Sequence, residues 1–328
     1  MTSSTLTDVS SLQRQVLDGS SISRRLTLTP ASCGHNCLFL AQVSDWTWDT
    51  VSTACGTDMY REKNVDGLPT YLSFFYLRIS GGPRMQMHGL TFGDVLDVVT
   101  TAFNFGTESM LTLHRVSRAS GDSSSPRPVD PYEFYERRDD DCMYVESLNR
   151  WIVRSRAESN DALVRSSPAG IVTSHLPVLP DRYSPRRAYD FARKAESFHD
   201  GADPDYELVV DDYSIDYVID AARDLNGVGL VFYAAFASIV DSALLKLWRH
   251  LGRDVSSFVR RVVSDRQICY VANTDIDSAL RMTFRVWRRR DDPRQEVFNV
   301  VMRDAVRDRL VLVTTLHIQS ENEKHASV

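Results

Sequence analysis

CGHNCLFLAQVSDWTWDTVSTACG, residues 33–56, reads as a turn, a long helix and a stop. Gly34, His35 and Asn36 form the turn. Leu38, Phe39, Val43, Trp46 and Val51 recur at roughly helical spacing. Trp48 and Thr50 fall on other faces, so the helix is expected to be buried on most sides. Gly56 suits a C′ stop in the left-handed region.

The arrangement recurs once further along. Asp224-Leu225-Asn226-Gly227 makes a turn, an apolar helix is expected over 231–251, and Gly252 ends it. Gly34, Phe39 and Ala41 align without gaps with Gly227, Phe232 and Ala234. Internal repetition changes a fold assignment more than any single motif does. Strands are expected before and after each helix: 24–29, 69–79, 90–105, 109–116 and 142–154 in the first half. In the second they are 206–212, 215–220, 258–263, 268–273, 279–287, 296–302 and 310–318. Residues 118–127 read as an exposed loop. Residues 155–204 are rich in proline, with one helical piece at 187–198, and suit a connection packed on the surface. The domains expected are 20–160, the half favoured as active, a connector over 161–204, and 205–320. The fold class is α+β: two repeats, each a long central helix wrapped by a curved antiparallel sheet.

Composition sets the outer limits. Apolar residues make up 43% and charged residues 25% of the 328 residues, the profile of a globular protein. A formal net charge of −6 gives no electrostatic reason to expect nucleic acid or an anionic membrane as partner. The five cysteines form no disulfide framework. The N-terminus carries no signal-peptide pattern and no run of about 18 apolar residues occurs, so a cytoplasmic location is expected. Cys33-x-His35-x-Cys37 does not match zinc spacings, so no metal is expected. Gly227-x-Gly229 lacks the third glycine of a dinucleotide site. No Gly-x-Ser-x-Gly elbow occurs.

The Gly34-His35-Asn36 turn before an apolar helix resembles that of hot-dog fold thioesterases and dehydratases. The 224–234 stretch resembles the matching turn of double hot-dog proteins. More specifically, LTLTPASCGHN, DWTWDTVS, GLPTYLSFFY and LTFGDVLDVVT resemble the bifunctional acyltransferase/decarboxylase family of leinamycin-type polyketide biosynthesis. That resemblance implies an enzyme that moves the acyl group of methylmalonyl-CoA to the phosphopantetheine thiol of an acyl carrier protein and removes the carboxylate. Propionyl-carrier protein is the implied product. No bound cofactor is implied beyond the coenzyme A thioester and the carrier's phosphopantetheine. The resemblance also implies a tyrosine acyl acceptor, carried to Tyr60, with Tyr71 as the neighbouring candidate.

The chemistry suits those residues in part. A phenol has a free pKa of about 10 and needs activation to be a nucleophile. Arg61 and Lys63 flank Tyr60 and are candidates to supply positive potential. Decarboxylation leaves an enolate, which preorganised N–H donors stabilise. The N-terminus of the first helix, with His35 and Asn36, offers such donors. Tyr71, Trp46 and Asp224 are candidate substrate-binding residues, with Trp48, Phe74 and Phe75 available to line a dry pocket. Asp224 has only Ser32 or Cys33 as its counterpart in the first repeat, so no base for water is expected there. Each residue also has a plainer role: His35 as a turn hydrogen-bonder, Tyr60 as an ordinary tyrosine, 224–227 as a turn, the aromatics as core. The alternatives are a thioesterase or dehydratase of the same fold, or a silent scaffold that binds a carrier protein. Arg186-Arg187 and Arg260-Arg261 are candidate carrier-docking sites, and homodimerisation stays open.

Overall fold

The computed structural model describes residues 13–33, 37–119, 125–157 and 159–320. His35 and Asn36 lie outside the described residues, as does Gly34 and part of the loop expected over 118–127.

The chain opens with strands β1 (Gln13–Val16) and β2 (Ser21–Thr27), followed by helix α1 (Cys37–Cys55). Then come β3 (Tyr71–Gly81), β4 (Val95–Asn104), β5 (Ser109–Arg118), a short helix α2 (Pro131–Glu136), β6 (Cys142–Arg154) and β7 (Leu163–Arg165). Helix α3 (Arg186–Ala195) precedes β8 (Tyr206–Val218), α4 (Tyr233–His250) and α5 (Val255–Arg260). Strands β9 (Val262–Tyr270), β10 (Ala279–Arg289), β11 (Gln295–Asp304) and β12 (Leu310–Gln319) complete the chain.

These strands join one sheet in the order β1-β2-β4-β5-β6-β3-β9-β12-β11-β10-β8, with β7 on β6. Read outward from its middle, β3-β6-β5-β4-β2 on one side repeats as β9-β12-β11-β10-β8 on the other. Each half is therefore one hot-dog unit: strand, helix, four strands. The two units meet where β3 pairs antiparallel with β9, and α1 packs on α4 across that join. The fold is a double hot-dog.

The helix stops are the same device used twice. Gly56 and Gly252 take φ of +61° and +71°. Thr57 N–H donates to the Ser52 carbonyl and Arg253 N–H to the Trp248 carbonyl. Those six-residue closures are Schellman motifs, which glycine at C′ permits without a Cβ clash. In α1, Phe39, Leu40, Val43, Trp46 and Val51 are buried. Its buried threonines are partnered from the sheet. Thr47 and Thr112 meet His114 Nε2, and Thr100 meets its Nδ1. Arg24 donates to Thr50 Oγ1 at 2.9 Å and pairs with Asp49 at 2.6 Å.

Three local expectations are corrected. Residues 258–260 are helical rather than extended. Ser257 N–H and Oγ both bond the Asp254 carbonyl, and Trp248 Nε1 donates to Ser257 Oγ at 2.9 Å. Those side-chain bonds close a helical turn and delay β9 to Val262. Residues 90–94 form a turn, since Thr91 N–H bonds the Asp94 carboxylate and Gly93 takes φ +85°. The two extended pieces over 206–220 are one strand, β8, whose pairing with β10 shifts register near Asp212, at φ +60°.

On the outer face, α2 and α3 bring Phe134, Tyr189 and Ala192 onto Phe103, Leu111 and Tyr144. Glu146 is buried there and accepts from Tyr135 Oη. Burial raises its carboxyl to about 7, against an ordinary 4.5. The folded protein thus holds a proton that the unfolded chain releases above pH 4.5. The stability tied to that proton is full below about 4.5 and is lost as pH rises through about 7. Glu146→Gln should remove this loss. Urea unfolding at pH 5 and pH 8 should show the variant gaining on the parent by about 3 kcal/mol between the two, because each tenfold change in proton affinity is worth ~1.4 kcal/mol.

Candidate active site

The central cavity exists because the two units do not pair along their whole length. β3 and β9 are bonded only from Tyr76 to Ser80, against Cys269 to Asp265. A bulge in β3 lies between Phe74 and Tyr76. On the other side, Val271 and Ala272 N–H groups turn to the Val311 carbonyl. Residues 71–75 and 270–273 therefore part, and a cavity of about 850 Å³ opens between them. That volume suits a small-molecule site.

Strand alternation sorts its lining into two ends. Leu72 and Phe74 point to the helix side. Tyr71, Ser73 and Phe75 point to the other face, where α3 lies. Helix α1 contributes Ser44, Asp45 and Trp48 to the cavity, and Tyr60 joins them from just beyond the helix. Helix α4 contributes Tyr233 and Phe236. The opposite end carries Ile152, Arg165 and Arg193. The cavity is thus a slot through the sheet.

Tyr60 is 66% exposed and its ring lies against Trp48, with centroids 5.3 Å apart. Its phenol is pushed up, first by desolvation and then by Asp45, Asp49 and Asp58. Arg61 does not offset this. Its side chain is 87% exposed and faces Asp58 at 3.6 Å. Tyr71 lines the cavity too, but from the opposite face of β3, level with Ile152 and Arg165 across the ladder. Trp46 is buried against Phe39 and His114 and does not line the cavity. Asp224 is 5% exposed. Its Oδ2 accepts from Tyr217 Oη and from Asp220 N–H, both at 2.8 Å, so it is spent on the turn. Its neighbours Asn226 and Gly227 reach the cavity wall, though Asn226 Oδ1 is held by the N–H groups of Val228 and Leu230.

Asp45 is the residue the repeat comparison does not single out. It lies in the middle of α1, is exposed, lines the cavity, and has no hydrogen-bond or ion-pair partner among the described residues. Desolvation pushes its carboxyl above the usual range. The first unit therefore holds a carboxyl able to give or take a proton, where none was expected. Its signal in the sequence is an acid between Val43-Ser44 and Trp46, on a stretch otherwise patterned for burial.

Tyr233 ties the units together at the floor. Its ring stacks on Phe74 at 3.9 Å. Its hydroxyl accepts from Ser44 N–H and donates to the Leu40 carbonyl. Those two backbone groups are an i, i+4 pair that an α-helix ordinarily joins directly, so the phenol is inserted into the ladder of α1. Tyr233→Phe should cost only about 1–2 kcal/mol in urea unfolding, because Leu40 and Ser44 can re-pair once the hydroxyl is gone.

Solved acyl-thioesterase structures share this fold. The chain resembles a Lactobacillus plantarum protein assigned as an oleoyl thioesterase, at 12% identity over 93% of this chain and 96% of that one, TM-score 0.57. It also resembles a 12:0-ACP thioesterase from Umbellularia californica, at 12% identity over 92% and 94%, TM-score 0.53. An acyl-ACP thioesterase from Bacteroides thetaiotaomicron VPI-5482 matches at 10% identity over 91% and 98%, TM-score 0.52. At such identities the likeness is one of fold. No curated protein matches the sequence. The family model of the LnmK N-terminal Hot Dog Fold domain matches residues 23–200, more than half of the chain, and the protein belongs to that family. Among the described residues, no helix is long and apolar enough to cross a membrane.

Proposed function

We propose that this chain is an acyltransferase and decarboxylase that takes methylmalonyl-CoA and delivers a propionyl group to the phosphopantetheine thiol of an acyl carrier protein. The observation that carries this reading is the pairing of Tyr60 with the unpartnered Asp45 at the helix-side end of the slot. The substrate class is supported by the sequence resemblance to the acyltransferase/decarboxylases of leinamycin-type biosynthesis, alongside the hot-dog family membership.

In the proposed reaction the Tyr60 oxygen attacks the thioester carbonyl. Its proton leaves to the coenzyme A thiolate, and an aryl ester forms. Loss of CO₂ converts the acyl group to an enolate, and Cα then takes one proton. Asp45 is the proton donor, because desolvation keeps its carboxyl protonated to higher pH than an ordinary aspartate. The carrier thiol finally attacks the ester and releases the phenol. A phenol is a fair leaving group toward a thiol of pKa about 8.5. Tyr60 is favoured over Tyr71 because Tyr71 faces the other side of β3, away from Asp45. His35 and Asn36, the candidates for the enolate oxygen, lie outside the described residues and are left out of this reaction.

A second reading is hydrolysis, and Asp45 favours it as well, since a free carboxylate can activate water. Intact mass of holo-carrier protein after incubation with methylmalonyl-CoA decides between them. A gain of a propionyl group supports transfer with decarboxylation. An unmodified carrier with free acid released supports hydrolysis and overturns the proposal.

A further inference from the structure

The outer end of the slot is built differently from the inner one. Arg165 and Arg193 line it, and both are exposed. Arg150 lies beside them, with its guanidinium 3.6 Å from the Phe75 ring centroid and 5.8 Å from that of Tyr189. Among the described residues none of the three has a carboxylate partner. Most other surface arginines do, such as Arg281 with Asp216, Arg285 with Asp211 and Arg294 with Asp292. Arg186 adds a fourth cation nearby, and its hydrogen bond goes to the Phe105 carbonyl.

Arg150 is pushed down by desolvation and then by Arg165 and Arg186. The acids in reach, Glu108 and Asp190, make no ion pair with the group. Asp161 at the cavity wall is already engaged by Arg307 and Arg309. Several cations held together without counter-ions, on a protein of net charge −6, mark a place for an anion.

The register sets the reach. Tyr71, Ile152 and Arg165 are directly opposed across β3, β6 and β7. Arg165 thus stands two strand spacings, about 10 Å, from the β3 wall of the slot. An anion held there would be joined to the reacting end by a narrow, flexible arm threaded through the sheet. A phosphorylated pantetheine has that form: a phosphate at one end, a thioester at the other, and amide-linked methylenes between.

We propose that Arg165 and Arg193, supported by Arg150, bind the 4′-phosphate of the pantetheine arm shared by coenzyme A and the holo-carrier protein. This rests on the thioester reading of the cavity. It separates the two ends by charge: a cationic clamp outside, and the Asp45 and Tyr60 end within.

Binding of pantetheine, 4′-phosphopantetheine and coenzyme A should be compared by calorimetry on the full chain and on an Arg165→Ala/Arg193→Ala variant. Both positions are exposed, so the variant keeps its fold. The parent should bind 4′-phosphopantetheine at least about tenfold more tightly than pantetheine, the scale of one charge-assisted contact. The variant should lose that margin while binding pantetheine unchanged. Equal binding of the phosphorylated probe by parent and variant overturns the clamp alone. A margin seen with coenzyme A and not with 4′-phosphopantetheine also overturns it, and assigns the arginines to the nucleotide. No binding of any probe by the parent overturns the thioester reading, and the clamp with it.

Discussion

Tyr60→Phe is expected to abolish acyl transfer to the carrier protein, lowering its rate by about ten-thousand-fold, the scale of losing a nucleophile. Three features make the variant informative. The ring contact with Trp48 is kept, because phenylalanine retains the ring. The side chain is largely exposed, so folding should not change. The arginine end of the slot is untouched, so substrate affinity should persist. Tyr71→Phe serves as the control. It lines the same cavity from the opposite face of β3, and its transfer rate should stay within about twofold of the parent, as expected for a residue outside the reacting set. Full transfer by Tyr60→Phe would remove the phenol from the mechanism. The phenol's raised pKa makes the first step demanding: Arg24 offsets the shift only in part, so a proton acceptor must act in the same step.

Asp45→Asn should lower turnover by about 10²–10³-fold, within the range for removal of a general acid or base. The pH profile separates chemistry from structure. In the parent, Asp45 is protonated at low pH and stays so to a higher pH than an ordinary aspartate. Turnover limited by proton delivery should therefore fall as pH rises through that raised value. The asparagine variant should have lost this fall. Stability should barely change. Asp45 is exposed and unpaired, so asparagine should be about as stable there as aspartate. A variant that is inactive and also strongly destabilised would point to a packing role. Measurements of kcat against pH and urea unfolding at pH 7 read both quantities.

How much of this was legible in residue order follows from how local each cause is. The helix stops were visible, because a left-handed C′ position demands glycine and the chain places Gly56 and Gly252 there. The repeat was visible for the same reason, with two stops, two long apolar helices and matched strand sets around them. The short helix α5 was not, since part of its cause is the Trp248 side chain, which reaches from the preceding helix to bond Ser257 and steady a turn begun by Asp254. The slot was not visible either. It comes from a bulge at Phe75 and from where two strands, far apart in the chain, stop pairing. Asp45 looked like one more polar residue of a helix; only the packing of α4 and the gap in the sheet give it a cavity to face. Asp224 shows the converse. An acid in a promising turn was legible, yet Tyr217 and the Asp220 N–H take its carboxylate.

The most direct test is to trap the acyl-enzyme. The protein is mixed with methylmalonyl-CoA without carrier protein, quenched in acid, digested, and its peptides are weighed. The predicted result is a propionyl or methylmalonyl mass on the peptide that holds Tyr60, lost on chasing with holo-carrier protein. Rapid release of free acid, with Tyr60 unmodified at every time point, would contradict it.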